Sequence, residues 1–201
     1  MTTLKELLKT KEITNDNIAM HLNNLSLEQQ IKQVRMLTPG LVKKMYDIAE
    51  QNAPCTMNDI VPNDIGAGVE VRHKGINSLP ISRLFEKRFT RNPKQSDQFW
   101  GYNQQSLMWL TGPGFFTVNS PEQEQLFIDY RSIPENQFDK WPEMKPNEKG
   151  ISKLVYAGMQ DYMRKVSDRV TVGDAWKNGK KMNQFFMLVR LDPGDETTPL
   201  P

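Results

Sequence analysis

The amino-acid sequence predicts an α+β fold, in which a helical N-terminal part packs on a curved antiparallel β-sheet. Apolar residues recur at helical spacing through the first 52 residues, and they alternate with polar residues from residue 68 onward. Residues 97–131 hold two of the four Trp and four of the nine Phe, in short apolar segments separated by sharp turns. Short strands joined by turns are typical of an antiparallel meander, and a sheet of about seven or eight strands tends to curl into a barrel or half-barrel.

Composition limits the class of protein. No stretch approaches the ~18 consecutive apolar residues of a transmembrane helix, so the sequence predicts no membrane-spanning segment. The single cysteine, Cys55, excludes an internal disulfide, and the first residues, MTTLKELLKTKE, lack the apolar core of a secretory signal. We therefore expect a soluble cytoplasmic protein. The net charge of +2 neither demands nor excludes a polyanionic partner.

Changes in residue type along the chain divide it into four parts. Residues 1–52 are predicted to form a helical N-terminal region, and residues 53–67, which are rich in Pro, Asn and Asp, a linker. Residues 68–192 are predicted to form the antiparallel β-barrel-like domain. Residues 193–201 are predicted to be a flexible tail, because they contain Pro and lack any apolar pattern.

Local capping signals predict where the N-terminal helices begin. Thr3 and Ser26 each precede an apolar-periodic stretch and are followed three residues later by Glu6 and Gln29, which is the capping-box pattern. Pro39 suits the first position of a later helix. Each of these helices has one apolar face, so each needs a surface to cover.

The β-barrel-like domain is predicted from alternation and from turn residues. Residues 81–91 fit both a helix and a strand, and their place between turns favours a strand. Asn178 followed by Gly179 is typical of a two-residue hairpin turn, and the nearly continuous apolar run 183–191 predicts a closing strand buried on both faces. The predicted strands are 69–73, 81–91, 99–102, 106–111, 115–118, 125–132, 151–157, 166–176 and 183–191, with a helix or irregular segment between 157 and 166.

Two features of this domain bear on a pocket. Residues 133–150 form a long connection that Phe138 and Trp141 would pin to the sheet. In strand 125–132, alternation allows either Tyr130 with its apolar neighbours, or Asp129 and Arg131 with Phe127, to face inward. The sequence leaves both orientations open.

A search for motifs that carry chemistry gives no catalytic signature. The nucleotide-binding glycine loops, the zinc-protease motif, the paired-cysteine motif and the hydrolase serine motif are all missing from the sequence. Gly112-Pro113-Gly114 has no predicted helix behind it, so it is interpreted as a turn and not as a phosphate loop. With two His and one Cys, no metal site is predicted, and no cofactor is expected.

Polar side chains embedded in the aromatic strands point to a ligand pocket. We expect a lipocalin-like architecture whose interior binds a small, partly apolar and anionic molecule, because mixed apolar walls with a few polar groups are the usual composition of such sites. Arg131 or Arg164 would hold the acidic group of the ligand. The predicted ligand-binding residues are Tyr102, Asn103, Trp109, Phe116, Tyr130, Arg131, Arg164 and Trp176.

Two alternatives remain open from the sequence. The same scaffold could be a cofactor-independent enzyme that uses Tyr and Asp side chains for acid–base chemistry, although no catalytic residue is identified. The basic segment 81–94, in which Phe85 and Phe89 alternate with Lys and Arg, could instead bind nucleic acid. The near-neutral charge of the chain speaks against this second alternative.

Overall fold

A closed antiparallel barrel forms the centre of the protein. The structure is a computed structural model that describes residues 2–51, 54–80, 82–106, 108–119 and 125–194. Within these residues eight strands pair in chain order, and the last strand closes on the first. The strands are β1 Val71–Asn77, β2 Leu84–Arg91, β3 Phe99–Gln104, β4 Phe116–Asn119, β5 Phe127–Asp129, β6 Met159–Lys165, β7 Val170–Lys177 and β8 Lys180–Arg190. The predicted α+β barrel fold is confirmed.

Short helices precede the barrel and interrupt its connections. Thr3 and Ser26 cap the first and third helices through capping boxes, as their spacing predicts, and Pro39 stands at the first position of the fourth. The helices are α1 Leu4–Leu7, α2 Asn15–Asn23, α3 Leu27–Arg35, α4 Pro39–Ile48, α5 Met57–Ile60, α6 Met108–Thr111 and α7 Ser152–Val155, with a 3₁₀ turn at Ala49–Gln51.

The N-terminal helices cover the outer face of β7, β8 and β1. Val42 and Met45 of α4 are buried in one core cluster with Phe185 and Met187 of β8. The alternate residues of β8, such as Leu188, belong to the core inside the barrel. The nearly continuous apolar sequence of β8 is therefore explained, since both of its faces are buried as predicted.

The orientation of the strand around residue 128 is settled by its neighbours in the barrel. Ile128 and Tyr130 face the barrel interior with Leu126. Asp129 faces outward, where it accepts bonds from the exposed Arg131 side chain. The β-ladder is shorter than predicted and covers only Phe127–Asp129.

Three predicted elements are wrong. The apolar stretch 106–111 is a helical turn, α6, with Leu107 outside the described residues, and the stretch 151–157 contains the helix α7. The segment predicted to be helical or irregular, 157–166, contains strand β6. Short apolar runs fit both periods, so pairing decides between them, and β6 is held by a full ladder with β7.

The predicted hairpin and the long connection are both present. Asn178 and Gly179 have φ values of 50° and 74°, as a type I′ turn requires, and they join β7 to β8. In the long connection, Phe138 and Trp141 pack against Trp100 on the outer wall. The boundaries proposed at residues 52, 67 and 192 remain a prediction. Of the predicted tail, residues 195–201 lie outside the described residues.

Candidate functional site

One end of the barrel is closed by the segment that contains α5. His73, inside β1, lies 2.9 Å through Nε2 from the carbonyl oxygen of Ile60. Arg91 donates to the carbonyl oxygens of Val61 and Ile65, and Lys165 pairs with Asp59 at 2.7 Å. Side chains of β1, β2 and β6 thus bind backbone and carboxylate oxygens of this segment, which holds it across the opening.

The opposite end, here called the mouth, is framed by α6 and α7. The Ser152 hydroxyl of α7 donates to the carbonyl oxygen of Thr111 at 2.7 Å. Gly112 has a φ of 74° and ends α6, and a Cβ at Gly114 would collide with the Tyr156 ring. The Gly-Pro-Gly segment is thus an irregular link between α6 and β4, and the predicted turn between two strands is wrong. The missing side chains of Gly112 and Gly114 let Ser152 and Tyr156 lie against it.

A cavity of about 150 Å³ opens at the mouth. It lies where β1, β3 and β5 end and where β6 and β8 begin. Its walls combine apolar side chains with amides, phenols and one carboxylate. They are formed by Asn77, Leu79, Phe85, Asn103, Gln105, Tyr130, Val155, Tyr156, Met159, Asp161 and Gln184.

The floor of this cavity is a hydrogen-bonded group, here called the lumen cluster, of Lys87, Asn103, Tyr130 and Asp161. The Lys87 ammonium donates to Asn103 Oδ1 at 3.0 Å, to Asp161 Oδ2 at 3.0 Å and to the Tyr130 hydroxyl. The amide of Asn103 donates to the Tyr130 hydroxyl at 3.1 Å. All three ammonium protons of Lys87 therefore have acceptors, which is the condition for burying a charge.

The lumen cluster lies in an apolar surrounding. The Lys87 nitrogen is 5.0 Å from the ring centroid of Phe186 and 5.3 Å from that of Phe116. Burial lowers the pKa of Lys87, and the carboxylate of Asp161 opposes that shift. Burial, assisted by the nearby carboxylate, raises the pKa of Tyr130 well above 10. Tyr130 is consequently a neutral phenol that offers one proton and accepts others.

The groups that reach the cavity itself can both donate and accept hydrogen bonds. Among the described residues, Asp161 is engaged only through Oδ2, by Lys87 and by Tyr130, while its side chain also lines the cavity. The Tyr156 hydroxyl accepts from Gln105 at 2.9 Å, and burial raises the pKa of Tyr156 to about 12. The mouth therefore presents a carboxylate acceptor beside two phenols and an aromatic wall.

The structure brings three of the predicted ligand-binding residues together. Asn103 and Tyr130 belong to the lumen cluster, and Phe116 packs beside them in the barrel core. Alternation of side chains along the barrel strands turns these three residues inward, an orientation that the sequence left open for Tyr130. Whether they bind a ligand remains a prediction.

The other five predicted residues do not line the barrel interior. Tyr102 lies on the outer wall under Trp141 and donates to Glu70. The remaining four also lie outside: Trp109 is 81% exposed on α6, Arg131 pairs with Asp129, Arg164 binds the Tyr46 carbonyl oxygen and Glu50, and Trp176 donates to Asp174. The prediction that these side chains line the interior is wrong, because their strands present them on the outward face or form helix instead.

Sequence reasoning missed Lys87 as a member of the site, and it considered Asp161 only as an embedded polar group and as a carboxylate of the enzyme alternative. Lys87 stands between Phe85 and Phe89 at a spacing of two, so one inward strand face would carry all three. A lysine alternating with two phenylalanines was the available signal. The segment of Asp161 was interpreted as helical or irregular, so its alternation with Met159 and Met163 along a strand was not recognised.

The strand geometry also removes the basis for a nucleic-acid surface on residues 81–94. Phe85, Lys87 and Phe89 point into the barrel, whereas Arg88 points outward and pairs with Glu70 at 2.8 Å. The two phenylalanine rings are therefore enclosed in the barrel and cannot stack on bases. No group of three His, Cys, Asp or Glu side chains that could hold a metal occurs among the described residues.

A larger concavity of about 530 Å³ lies outside the barrel, between the outer wall and the long connection. Of its charged lining residues, Arg88 pairs with Glu70 and Arg72 with the buried Glu86, each at 2.8 Å, and Asp192 pairs with Arg169 at 2.6 Å. A ligand there would have to compete with these ion pairs. We therefore place the candidate site at the mouth, where a carboxylate and two phenols face an open cavity.

Fold and site together define a closed antiparallel barrel with a helical layer on one side and a polar cluster beneath an open mouth. A scan against protein-family models finds no match for this chain, and neither does a search of curated proteins. No helix in the described part of the chain is long and apolar enough to cross a membrane.

Proposed function

We propose that this protein binds a small, partly apolar molecule in the mouth cavity. The observation that carries the proposal is the lumen cluster beneath an opening at one end of the barrel, while the other end is closed by the α5 segment. Burying a polar group costs free energy unless the group forms hydrogen bonds, either within the protein or to a ligand. Here Asp161, Tyr130 and Tyr156 are directed at an open cavity.

The size and chemistry of the cavity define the ligand class. A cavity of about 150 Å³ accommodates a molecule of the size of benzene. The wall beside Phe85 and Met159 suits an apolar ring, and the Asp161 carboxylate suits a hydrogen-bond donor. The ligand is therefore a small ring or short chain that carries a hydroxyl or amino group.

Binding of the acidic ligand predicted from the sequence requires a cationic side chain at the cavity that is free to pair with it. Arg131 and Arg164 lie outside the barrel, and Lys87 is held by three acceptors. A ligand carboxylate could reach Lys87 only by displacing Asp161. We therefore propose a ligand with a donor group in place of the anion.

Three matched probes test this proposal: benzyl alcohol, benzylamine and benzoate, followed by saturation-transfer NMR. Ligands of this size reach dissociation constants on the order of 1 mM. Benzyl alcohol and benzylamine are expected to bind, and benzoate to bind at least about tenfold more weakly, because its charge faces Asp161. If benzoate bound more strongly than the other two probes, the acidic ligand predicted from the sequence would be favoured again. If none of the probes bound, the proposal would be contradicted.

Two variants locate the binding. Val155→Trp places a large ring at the rim of the cavity, on an exposed helix position where folding is not at risk, and is expected to abolish probe binding. Asp161→Asn is expected to weaken the binding of benzylamine more than the binding of benzyl alcohol. Asp129→Asn is the matched control, since Asp129 is similarly buried but faces outward, and it should change neither.

A second candidate function is acid–base catalysis in the same cavity, as favoured by the contact of Tyr130 with both Lys87 and Asp161. In this alternative Asp161 removes a proton from the carbon next to a carbonyl group, and the Tyr130 phenol donates a hydrogen bond to the forming enolate oxygen. The measurable result is proton–deuterium exchange of cyclohexanone in D₂O above the buffer rate, lost in Tyr130→Phe. Exchange at the buffer rate would eliminate this candidate.

The location of the protein in the cell is part of the proposal. A cytoplasmic setting is supported by the single cysteine, Cys55, which is buried and forms no disulfide. Fractionation of cells that express a tagged chain tests it. Recovery from an oxidising compartment would contradict it.

A further inference from the structure

Exposed apolar side chains are concentrated around the mouth of the barrel. Trp109 of α6 and Leu154 of α7 are 81% and 77% exposed, and Leu110 of α6, Val155 of α7 and Ile151, which precedes α7, are also exposed. The hydrogen bond from Ser152 to Thr111 holds the two helices side by side at the mouth, and their exposed apolar side chains are here called the apolar rim. Contiguous apolar patches of this kind mark interaction sites, whereas single exposed apolar residues do not.

The apolar rim is surrounded by positive charge. The chain segments that frame the mouth, residues 77–84, 105–115, 149–158 and 177–182, contain no Asp or Glu at all. They do contain six basic residues: Arg83, Lys149, Lys153, Lys177, Lys180 and Lys181. The Lys177 ammonium donates to the Leu154 carbonyl oxygen at 2.8 Å, which places the β7–β8 hairpin and its lysines directly beside α7.

The closed end of the barrel has an excess of acidic residues. Its connections, residues 54–70, 92–98 and 166–169, carry five acidic residues, Asp59, Asp64, Glu70, Asp97 and Asp168, and two basic residues, Lys94 and Arg169. The molecule is therefore polarised along the barrel axis, although its net charge is only +2. A negatively charged surface would attract the mouth and repel the closed end, which orients the approach.

We infer that the apolar rim and its lysines dock the mouth of the barrel on an anionic lipid membrane surface. Trp is enriched at the membrane–water interface because its ring is apolar and its N–H remains polar, and Leu can enter the acyl region beside it. Lysines around an inserted apolar patch gain from anionic headgroups. The mouth cavity would then open toward the lipid, since Val155 belongs both to the apolar rim and to the cavity wall.

The charge pattern favours a membrane over a second copy of the chain. A two-fold dimer through the apolar rim would place the same lysine-rich segments of both copies against each other. No acidic residue in the framing segments would offset that repulsion. An anionic lipid surface supplies the complementary charge.

Vesicle sedimentation tests the inference with the full chain. Vesicles of phosphatidylcholine with about one third phosphatidylserine are compared with vesicles of phosphatidylcholine alone, at low and high salt. The protein is expected to bind the anionic vesicles, and salt is expected to weaken that binding. Binding should also shift tryptophan emission to the blue, because Trp109 leaves water while Trp100 and Trp141 are already buried.

Substitutions at the rim and at a distance provide the contrast. Trp109→Ser is expected to lower the partition coefficient at least about tenfold, and Lys153→Glu at least about fivefold. The matched controls are Met20→Ser, at an exposed position of α2, and Lys94→Glu, at the closed end. Neither control should change the partition coefficient.

The outcomes separate this inference from the proposed ligand binding. Val155→Trp should block the probes yet keep vesicle binding, since it adds an apolar side chain to the rim. Absence of binding to anionic vesicles would overturn the inference, as would vesicle binding that Trp109→Ser leaves unchanged. A concentration-dependent dimer that dissociates in Trp109→Ser, without vesicle binding, would overturn it in favour of self-association.

Discussion

The buried imidazole of His73 makes the stability of this barrel depend on pH. His73 is fully buried in β1, its Nε2 lies 2.9 Å from the Ile60 carbonyl oxygen, and its ring meets Phe89 edge-on at 4.8 Å. Because a carbonyl only accepts, Nε2 carries the proton of the neutral ring. Nδ1 is buried and has no hydrogen-bond partner among the described residues. A second proton on Nδ1 would have no acceptor and would create a buried charge, so burial lowers the pKa of His73 from 6.5 to about 3.

The direction of the pH effect follows from where the proton binds. In the unfolded chain the imidazole is in water and has its usual pKa of about 6.5. As the pH falls below that value, the unfolded state takes up a proton that the folded state refuses, so the free energy of unfolding decreases. The contribution of His73 is complete above about pH 7 and is lost progressively toward pH 3. Between pH 7 and 5.5 the loss is about 1 kcal/mol.

Urea unfolding at pH 7 and pH 5.5 measures this loss. His73→Gln keeps an N–H donor for the Ile60 carbonyl oxygen but does not titrate, so its free energy of unfolding should fall by about 1 kcal/mol less than that of the wild type over this interval. His21→Gln, on the partly exposed face of α2, is the control and should follow the wild type. Equal pH dependence in His73→Gln and in the wild type would refute the assignment of a neutral, buried His73.

Three further predictions concern packing, charge and reactivity. Gly101→Ala should destabilise the barrel by about 1–3 kcal/mol in urea unfolding, because its Cβ would overlap a backbone oxygen and an aromatic ring; Gly66→Ala, with nothing within 4 Å, should have little effect, and equal effects would contradict this. Lys87→Met should lower the free energy of unfolding by about 3–5 kcal/mol, because it leaves the Asp161 carboxylate buried without its cation. The double variant Lys87→Met with Asp161→Leu should lose much less, and additive losses of the two single variants would contradict the buried ion pair. Cys55 should react with a disulfide reagent such as DTNB only on unfolding, because burial strongly raises the pKa of its thiol, and rapid labelling of the folded chain would contradict this.

Signals that lie within a few residues were predicted correctly from the sequence. The capping boxes at Thr3 and Ser26 and the hairpin at Asn178 depend only on residues two to four positions away. The strand or helix state of residues 157–166 depends instead on pairing with β7, which is a tertiary contact. Local periodicity could not resolve it, because Met159 and Met163 fit either structure.

The candidate site was predicted only in part, because local signals reveal some of its residues and tertiary contacts determine the others. Asn103 and Tyr130 were predicted because they are polar residues within aromatic strands, but the sequence did not decide which of these polar residues face inward. Trp109 was misplaced because its apolar stretch became a helix at the rim. Lys87 was grouped with the basic residues around it, and only the closure of the barrel shows that it meets Asp161, 74 residues away in the chain.

The most direct test of the central claim, that the mouth cavity binds a small ligand, is a benzyl alcohol titration followed by methyl NMR of methionine-labelled protein. Met159 lines the cavity, whereas Met187 lies in the core beneath the N-terminal helices. We expect the Met159 methyl signal to shift and saturate with a dissociation constant on the order of 1 mM, and the Met187 signal to remain in place. A Met159 signal that does not move, or a shift of Met187 in its stead, would contradict a ligand site at the mouth of the barrel.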